Sequence, residues 1–249
     1  MGVNANGIMD SYLGELMVNS KTGGMVMEAP QFYLIREKAS ATESIYRLVN
    51  AYIVECPKCG AKWDIRNGIS LPSFELDDGA KQYLEEGWHT YKAEIRGKCE
   101  YDYMASGNGI IVSEKFLNAL NEVSATGYTV KDIELLGWYN GNGKIRLDKN
   151  AGNYKELVVT GRCGYVRNKK HELTKCCDLC KTENSDEALD GLGVDLDEWD
   201  GSDICFYTNL VWGHIIVTEK VKAILEKKKM KSIYFQKIED YVWNGCYAN

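Results

Sequence analysis

Ile110-Ile111-Val112-Ser113-Glu114-Lys115 recurs as Ile215-Ile216-Val217-Thr218-Glu219-Lys220, and the register continues without a gap. Carried forward, it sets Leu120 on Leu225, Ile133 on Ile238, Glu134 on Glu239 and Trp138 on Trp243. Each copy opens with β-branched residues suited to a strand. A hydroxyl residue follows, placed to accept from the free N–H groups of a helix start, and Glu114 or Glu219 suits the positive end of the helix dipole. The spacing predicts strand, N-cap at Ser113 or Thr218, helix and second strand in each copy, with Trp138 and Trp243 in equivalent places. Two copies are too few for a solenoid. The expected fold is α+β, with two related β-α-β halves and mixed sheets; the competing reading is that this hexapeptide is only a common strand-to-helix turn.

Outward from the repeat, residues 109–249 form the repeat region, with copies at 109–141 and 214–245 and a long connection between them. Residues 29–108 form an N-terminal region, and 1–28, rich in Gly, Asn and Met, an appendage and a candidate for disorder. FYLIRE from Phe32 reads as a first strand, and SIYRLVNAYIVE as strand leading into a cysteine pair. GISLPSFELDD reads as a loop carrying a short strand, DDGAKQYLEEGW as a short helix, GWYNGNGKIRLDKN as a hairpin-like turn, and ELVVTGRCGYV as strand.

At 249 residues with 45% hydrophobic and 27% charged residues, the chain has the composition of an ordered globular protein. Thirty-six acidic against 30 basic residues give a net charge of −6, which repels phosphate, argues against nucleic acid and favours a cationic partner. No stretch approaches the roughly 20 apolar residues that span a bilayer, and the N-terminus lacks a basic n-region and an apolar h-region. A cytoplasmic location with no membrane partner is expected. No G-x-S-x-G or phosphate-loop motif occurs, and Lys175 stands where a second His would complete H-E-x-x-H from His171. With three histidines in all, the chain is not expected to be an enzyme.

Nine cysteines remain to be explained, and the odd number argues against a fully paired disulfide framework. Cys56-Pro57-Lys58-Cys59-Gly60 and Cys177-Asp178-Leu179-Cys180-Lys181 are each spaced to set two thiolates on one side of a metal. Together they complete a tetrahedral zinc site, a knuckle pair tying the N-terminal region to the connection between the copies. Reduced free thiols and a redox site are the alternatives; the latter is disfavoured because Pro57-Lys58 leads into a turn, not a helix. Cys176 and His171 are possible substitute ligands. Cys99, Cys163, Cys205 and Cys246 read as small buried hydrophobes.

FYLIRE, CPKCGAKW, SLPSFELDD, the pair at Cys177, WDGSD and IIVTEKVKAIL, in that order, resemble the bacterial double-CXXCG motif proteins over about residues 30–245. That family includes immunity proteins encoded beside polymorphic toxins. The resemblance implies an immunity protein that binds and neutralises a cognate toxin. One departure is Lys181, where the family has Gly. An acidic binder suits a basic toxin, and the acidic stretch from Glu183 to Asp203 is the natural contact, with Asp195, Asp197, Glu198 and Asp200 as charges and Trp199 as anchor. The competing reading of this stretch is a solvated loop. The alternative function is a zinc-stabilised regulatory or nucleic-acid-binding module with Lys220 to Lys231 as its footprint.

Overall fold

The computed structural model describes residues 29–38, 45–48, 52–65, 74–86, 91–97, 100–106, 109–148, 154–183, 188–209 and 215–243. In chain order the first elements are β1 (Phe32–Glu37), β2 (Ile45–Leu48), β3 (Ile53–Glu55), β4 (Lys62–Asp64), α1 (Asp78–Glu85), β5 (Tyr91–Arg96) and β6 (Tyr103–Ser106). The first copy of the repeat supplies β7 (Gly109–Ser113), α2 (Glu114–Glu122), β8 (Tyr128–Lys131) and β9 (Ile133–Tyr139). The connection carries β10 (Tyr154–Val159), β11 (Gly161–Arg162), β12 (Arg167–Asn168), β13 (Leu189–Asp190), β14 (Leu192–Gly193) and β15 (Ile204–Phe206). The second copy supplies β16 (Ile216–Thr218), α3 (Glu219–Lys227), β17 (Ile233–Lys237), a 3-10 turn (Ile238–Asp240) and β18 (Val242–Trp243). The fold mixes α and β, with parallel pairs at β5–β9 and β11–β15 beside antiparallel ones.

Two sheets dominate, ordered β6-β7-β10-β8 and β11-β15-β16-β1-β17. In the first, β10 lies between the two strands of the first copy, with Tyr154 opposite Ser113 and Glu156 opposite both Ile111 and Lys131. In the second, β1 lies between the two strands of the second copy, with Phe32 opposite Thr218 and Leu34 opposite Ile216 and Gln236. FYLIRE is apolar on both faces because its first four residues are buried between neighbours and under cover on either side.

The two helices close a shared core. Phe116, Ala119 and Leu120 of α2 and Val221, Ile224 and Leu225 of α3 bury with Tyr33, Ile35, Val112, Leu157 and Val217. Behind the second sheet, Phe32, Leu34 and Ile216 pack on Cys163, Val166, Leu192, Val194, Cys205 and Tyr207. Behind the first, Met104, Ile111 and Tyr154 pack on Ala93, Ile95 and Trp138.

Two expectations from the repeat need correction. Ser113 caps α2, accepting from Phe116 N–H at 3.2 Å, but Thr218 makes no side-chain bond to the α3 backbone. Its hydroxyl donates instead to Asp203 Oδ1 at 3.0 Å, an ionised acceptor that holds a hydroxyl more strongly than a neutral one. The tryptophans are not equivalent either. Trp138 is buried in β9, its Nε1 donating to Gly97 O at 2.7 Å, whereas Trp243 is 37% exposed on β18. After Lys131 the chain runs on into β9 and pairs with β5, while after Lys237 the 3-10 turn buries Ile238 and sends the chain to pair with β13.

The hairpin expected after Trp138 is present: Asn140 N–H donates to Ile145 O and Leu147 N–H to Trp138 O. Of SLPSFELDD, Phe74–Asp77 is loop leading to the Asp77 cap of α1, which accepts from Ala80 N–H at 2.7 Å. Residues 1–28 and the rest of that segment, 70–73, lie outside the described residues.

Candidate metal centre

Each knuckle is built by backbone hydrogen bonds that the sequence makes possible. β3 and β4 pair with Glu55 opposite Lys62, and the chain between them turns so that Cys56 N–H donates to Ala61 O and Gly60 N–H to Cys56 O. Gly60 reaches this turn with φ +72°, a left-handed conformation open to glycine at little cost. The second knuckle repeats the pattern: Cys177 N–H donates to Thr182 O and Lys181 N–H to Cys177 O. Lys181 takes φ +61° there, so the turn closes with a lysine in the place that Gly60 holds in the first knuckle.

The turns bring Cys56, Cys59, Cys177 and Cys180 together, with ligand atoms all within 4.8 Å of one another. Cys59 Sγ and Cys180 Sγ are 3.5 Å apart, and all four cysteines are free of disulfides. Four thiolates about 2.3 Å from a tetrahedral ion sit just under about 4 Å from each other, so the spacing fits such an ion with small adjustments. Lys58 N–H points at Cys56 Sγ from 3.4 Å, a backbone donor of the kind that supports a metal-bound sulfur. Four cysteines this close could hold one metal ion.

A small core seals the cluster from beneath. Cys56 and Cys180 are buried with Val54, Trp63, Ile65 and Ala80, against which Phe74 and Leu84 pack. Trp63 and Phe74 meet edge to face at 5.6 Å. Backbone N–H groups of Cys180 and Leu179 draw the Cys177 thiol down to about 7, while burial pushes Cys180 up. Over the rim, Lys58 and Asp178 form an ion pair at 2.6 Å that joins the two knuckles across 120 residues of sequence. Each holds the other charged, lowering Asp178 and raising Lys58. Nothing in the sequence pairs Lys58 with Asp178.

Neither substitute ligand joins the cluster. Cys176 is exposed, its backbone bridging to Glu183, and His171 closes a separate turn with φ +65°. Cys163 and Cys205 are buried, as small hydrophobes would be, while Cys99 and Cys246 lie outside the described residues.

The acidic stretch is tied into the fold more than its composition suggests. Asp195 and Glu198 grip Arg167 Nη2 at 2.7 and 3.1 Å, and Asp200 accepts from Arg162 N–H at 2.8 Å. Trp199 stands edge-on to Phe32 at 5.2 Å and donates from Nε1 to Ser202 O, packing against the second core. Asp197 is exposed. Asp186 and Glu187 lie outside the described residues. Lysines on α3 and at its C-terminal end are likewise engaged: Lys220 with Asp203, Lys222 with Glu219 and Glu226, and Lys228 with Glu122.

No helix among the described residues is long and apolar enough to cross a membrane. Compared with protein-family models and with curated proteins, the chain has no match.

Proposed function

We propose that the four cysteines hold one structural zinc ion and that the chain is an immunity protein, which binds and neutralises a cognate bacterial toxin in the cytoplasm. In this reading the repeat copies, each completed by a strand from elsewhere in the chain, are two related halves, and the zinc ties the N-terminal region to the connection between them. The observation that carries the proposal is the ligand set. Four thiolates close a tetrahedral sphere, whereas a catalytic zinc keeps a position open for water or substrate. The bound ion would supply cross-linking of two distant segments, so its chemistry is spent on shape, and shape is what a binding protein needs.

The ordered motifs FYLIRE, CPKCGAKW, WDGSD and IIVTEKVKAIL support the family reading, and the left-handed Lys181 removes the main obstacle to it. The pairing of the α3 lysines with carboxylates weakens the nucleic-acid alternative, because a phosphate would have to displace partners already in place. Co-expression tests the proposal: cells producing the toxin encoded beside this gene should survive when the chain is present. Loss of viability despite soluble chain would overturn it.

A further inference from the structure

We infer that the chain is a two-fold pair folded from one polypeptide, with β10 completing the first half and β1, from the opposite end of the sequence, completing the second. The inference rests on the reading of two related halves and depends on neither the zinc nor the toxin.

The hexapeptide marks only part of the repeat. Along β6–β7, Tyr103 is opposite Val112 and Met104 opposite Ile111; along β15–β16, Ile204 is opposite Val217 and Cys205 opposite Ile216. Val112 and Ile111 match Val217 and Ile216 in the repeat, so β15 stands in the place of β6. The residue ahead of each strand matches too: Ser113 N–H donates to Asp102 O and Thr218 N–H to Asp203 O, both at 3.0 Å. Asp102 lies 11 positions before Ser113 and Asp203 lies 15 before Thr218, a difference that hides this match from an ungapped register.

The completing strands correspond residue by residue. Tyr154 and Phe32 face the cap positions Ser113 and Thr218, and Glu156 and Leu34 face Ile111 and Ile216. On their other side Glu156 and Leu34 face Lys131 and Gln236, which also match in the repeat. The two halves therefore share one strand order, β6-β7-β10-β8 and β15-β16-β1-β17. Only the chain's route to the completing strand differs, since β10 follows its half and β1 precedes it.

Reciprocal contacts give the pair its symmetry. Asp203 Oδ2 accepts from Thr126 N–H in the turn after α2, and Asp102 Oδ2 accepts from Lys231 N–H in the turn after α3. Thr126 and Lys231 hold the same position in their copies, as do Lys115 and Lys220, which pair with Asp102 and Asp203. The turns share their backbone as well: Ser124 and Lys229 take φ +48° and +52°, and Gly127 and Ser232 take φ +87° and +77°. A contact in which each half offers the same two positions to the other is isologous, the arrangement of a two-fold dimer.

Two measurements on the full chain test the pair. In Asp203→Ala the Thr126 amide, across the contact, should exchange its hydrogen at least about 10-fold faster, beyond any change shared by core amides. The Lys231 amide should respond in the same way to Asp102→Ala. A response in one variant alone, or in neither, overturns the two-fold contact. The second measurement uses a circular permutant that begins at Ala39 and ends at Lys38, with Asn249 joined to Met1, so that β1 follows its half as β10 does. Its unfolding midpoint should stay within about 5 °C of the parent's. A permutant that does not fold overturns the equivalence of β1 and β10. A crystal structure of the parent separates the two levels of failure: where β7-α2 and β16-α3 superpose, two related halves stand without the pair, and where they do not, both readings fall.

Discussion

Gly60 and Lys181 share one left-handed backbone conformation, each closing a Cys-x-x-Cys turn by donating its N–H to the first cysteine's carbonyl. The cost differs, since a side chain in this region is strained by roughly 1 kcal/mol and glycine is not. Lys181→Gly should therefore stabilise the folded chain by about 0.5–1 kcal/mol, even after losing the exposed bond from Lys181 Nζ to Asp178 O. Gly60→Ala should destabilise it by a similar amount. Urea unfolding of the two variants with metal bound measures both signs.

Asp102 and Asp203 do matching work ahead of α2 and α3. Asp102 accepts from Ser113 Oγ and Lys231 N–H, and Asp203 accepts from Thr218 Oγ1 and from both N–H and Oγ1 of Thr126. Each carboxylate thus binds its own copy's hydroxyl and reaches the turn after the other copy's helix. Asp203→Ala leaves these donors without their acceptor and should cost about 3 kcal/mol. Ser113→Ala should cost about 1 kcal/mol as a lost cap. Thr218→Ala should cost less than Asp203→Ala, because only one bond to that carboxylate is lost. Thermal unfolding of the three variants gives the order.

Trp199→Ala should destabilise the chain by about 2–3 kcal/mol, since the indole packs on Phe32 and the core behind it. An anchor for a partner would instead leave the free chain's unfolding midpoint unchanged and speed dissociation alone. Comparing the two observables on one variant separates the roles.

Acid should release the metal. Cys177, drawn down to about 7, supplies thiolate near neutrality, whereas buried Cys180 surrenders its proton only to an incoming ion. Uptake near pH 7 should therefore liberate at least about one proton per ion, read as buffer-dependent heat in calorimetry. In the metal-free chain the signs are opposed. The depressed Cys177 contributes stability present above the ordinary thiol value and lost as pH falls through about 7. The raised Cys180 contributes stability present below the ordinary value and lost as pH rises through its own. Metal-free stability should climb above pH 7 and turn down beyond the ordinary thiol range.

The hexapeptide at Ile110 and Ile215 located β7 with α2 and β16 with α3, because a strand, a cap and an amphipathic helix are written in local residue types. It said nothing of β1 and β10, whose places between the repeat strands rest on pairing across long stretches of chain. Trp138 and Trp243 match in wording, yet one is core and the other surface, since burial is decided by what packs on the strand. The four ligands were legible because thiol spacing is itself chemistry. The clasp of Arg167 by Asp195 and Glu198 was not, because nothing in the sequence announces which carboxylates will fold back onto which cation.

If a single metal ion joins the two knuckles, elemental analysis of chain purified from reducing cytosol without chelators should find one zinc per chain, lost together with most of the thermal stability in the Cys56→Ser/Cys59→Ser variant. Chain that is folded and metal-free as isolated, or a double variant as stable as the parent, would show that no ion joins them.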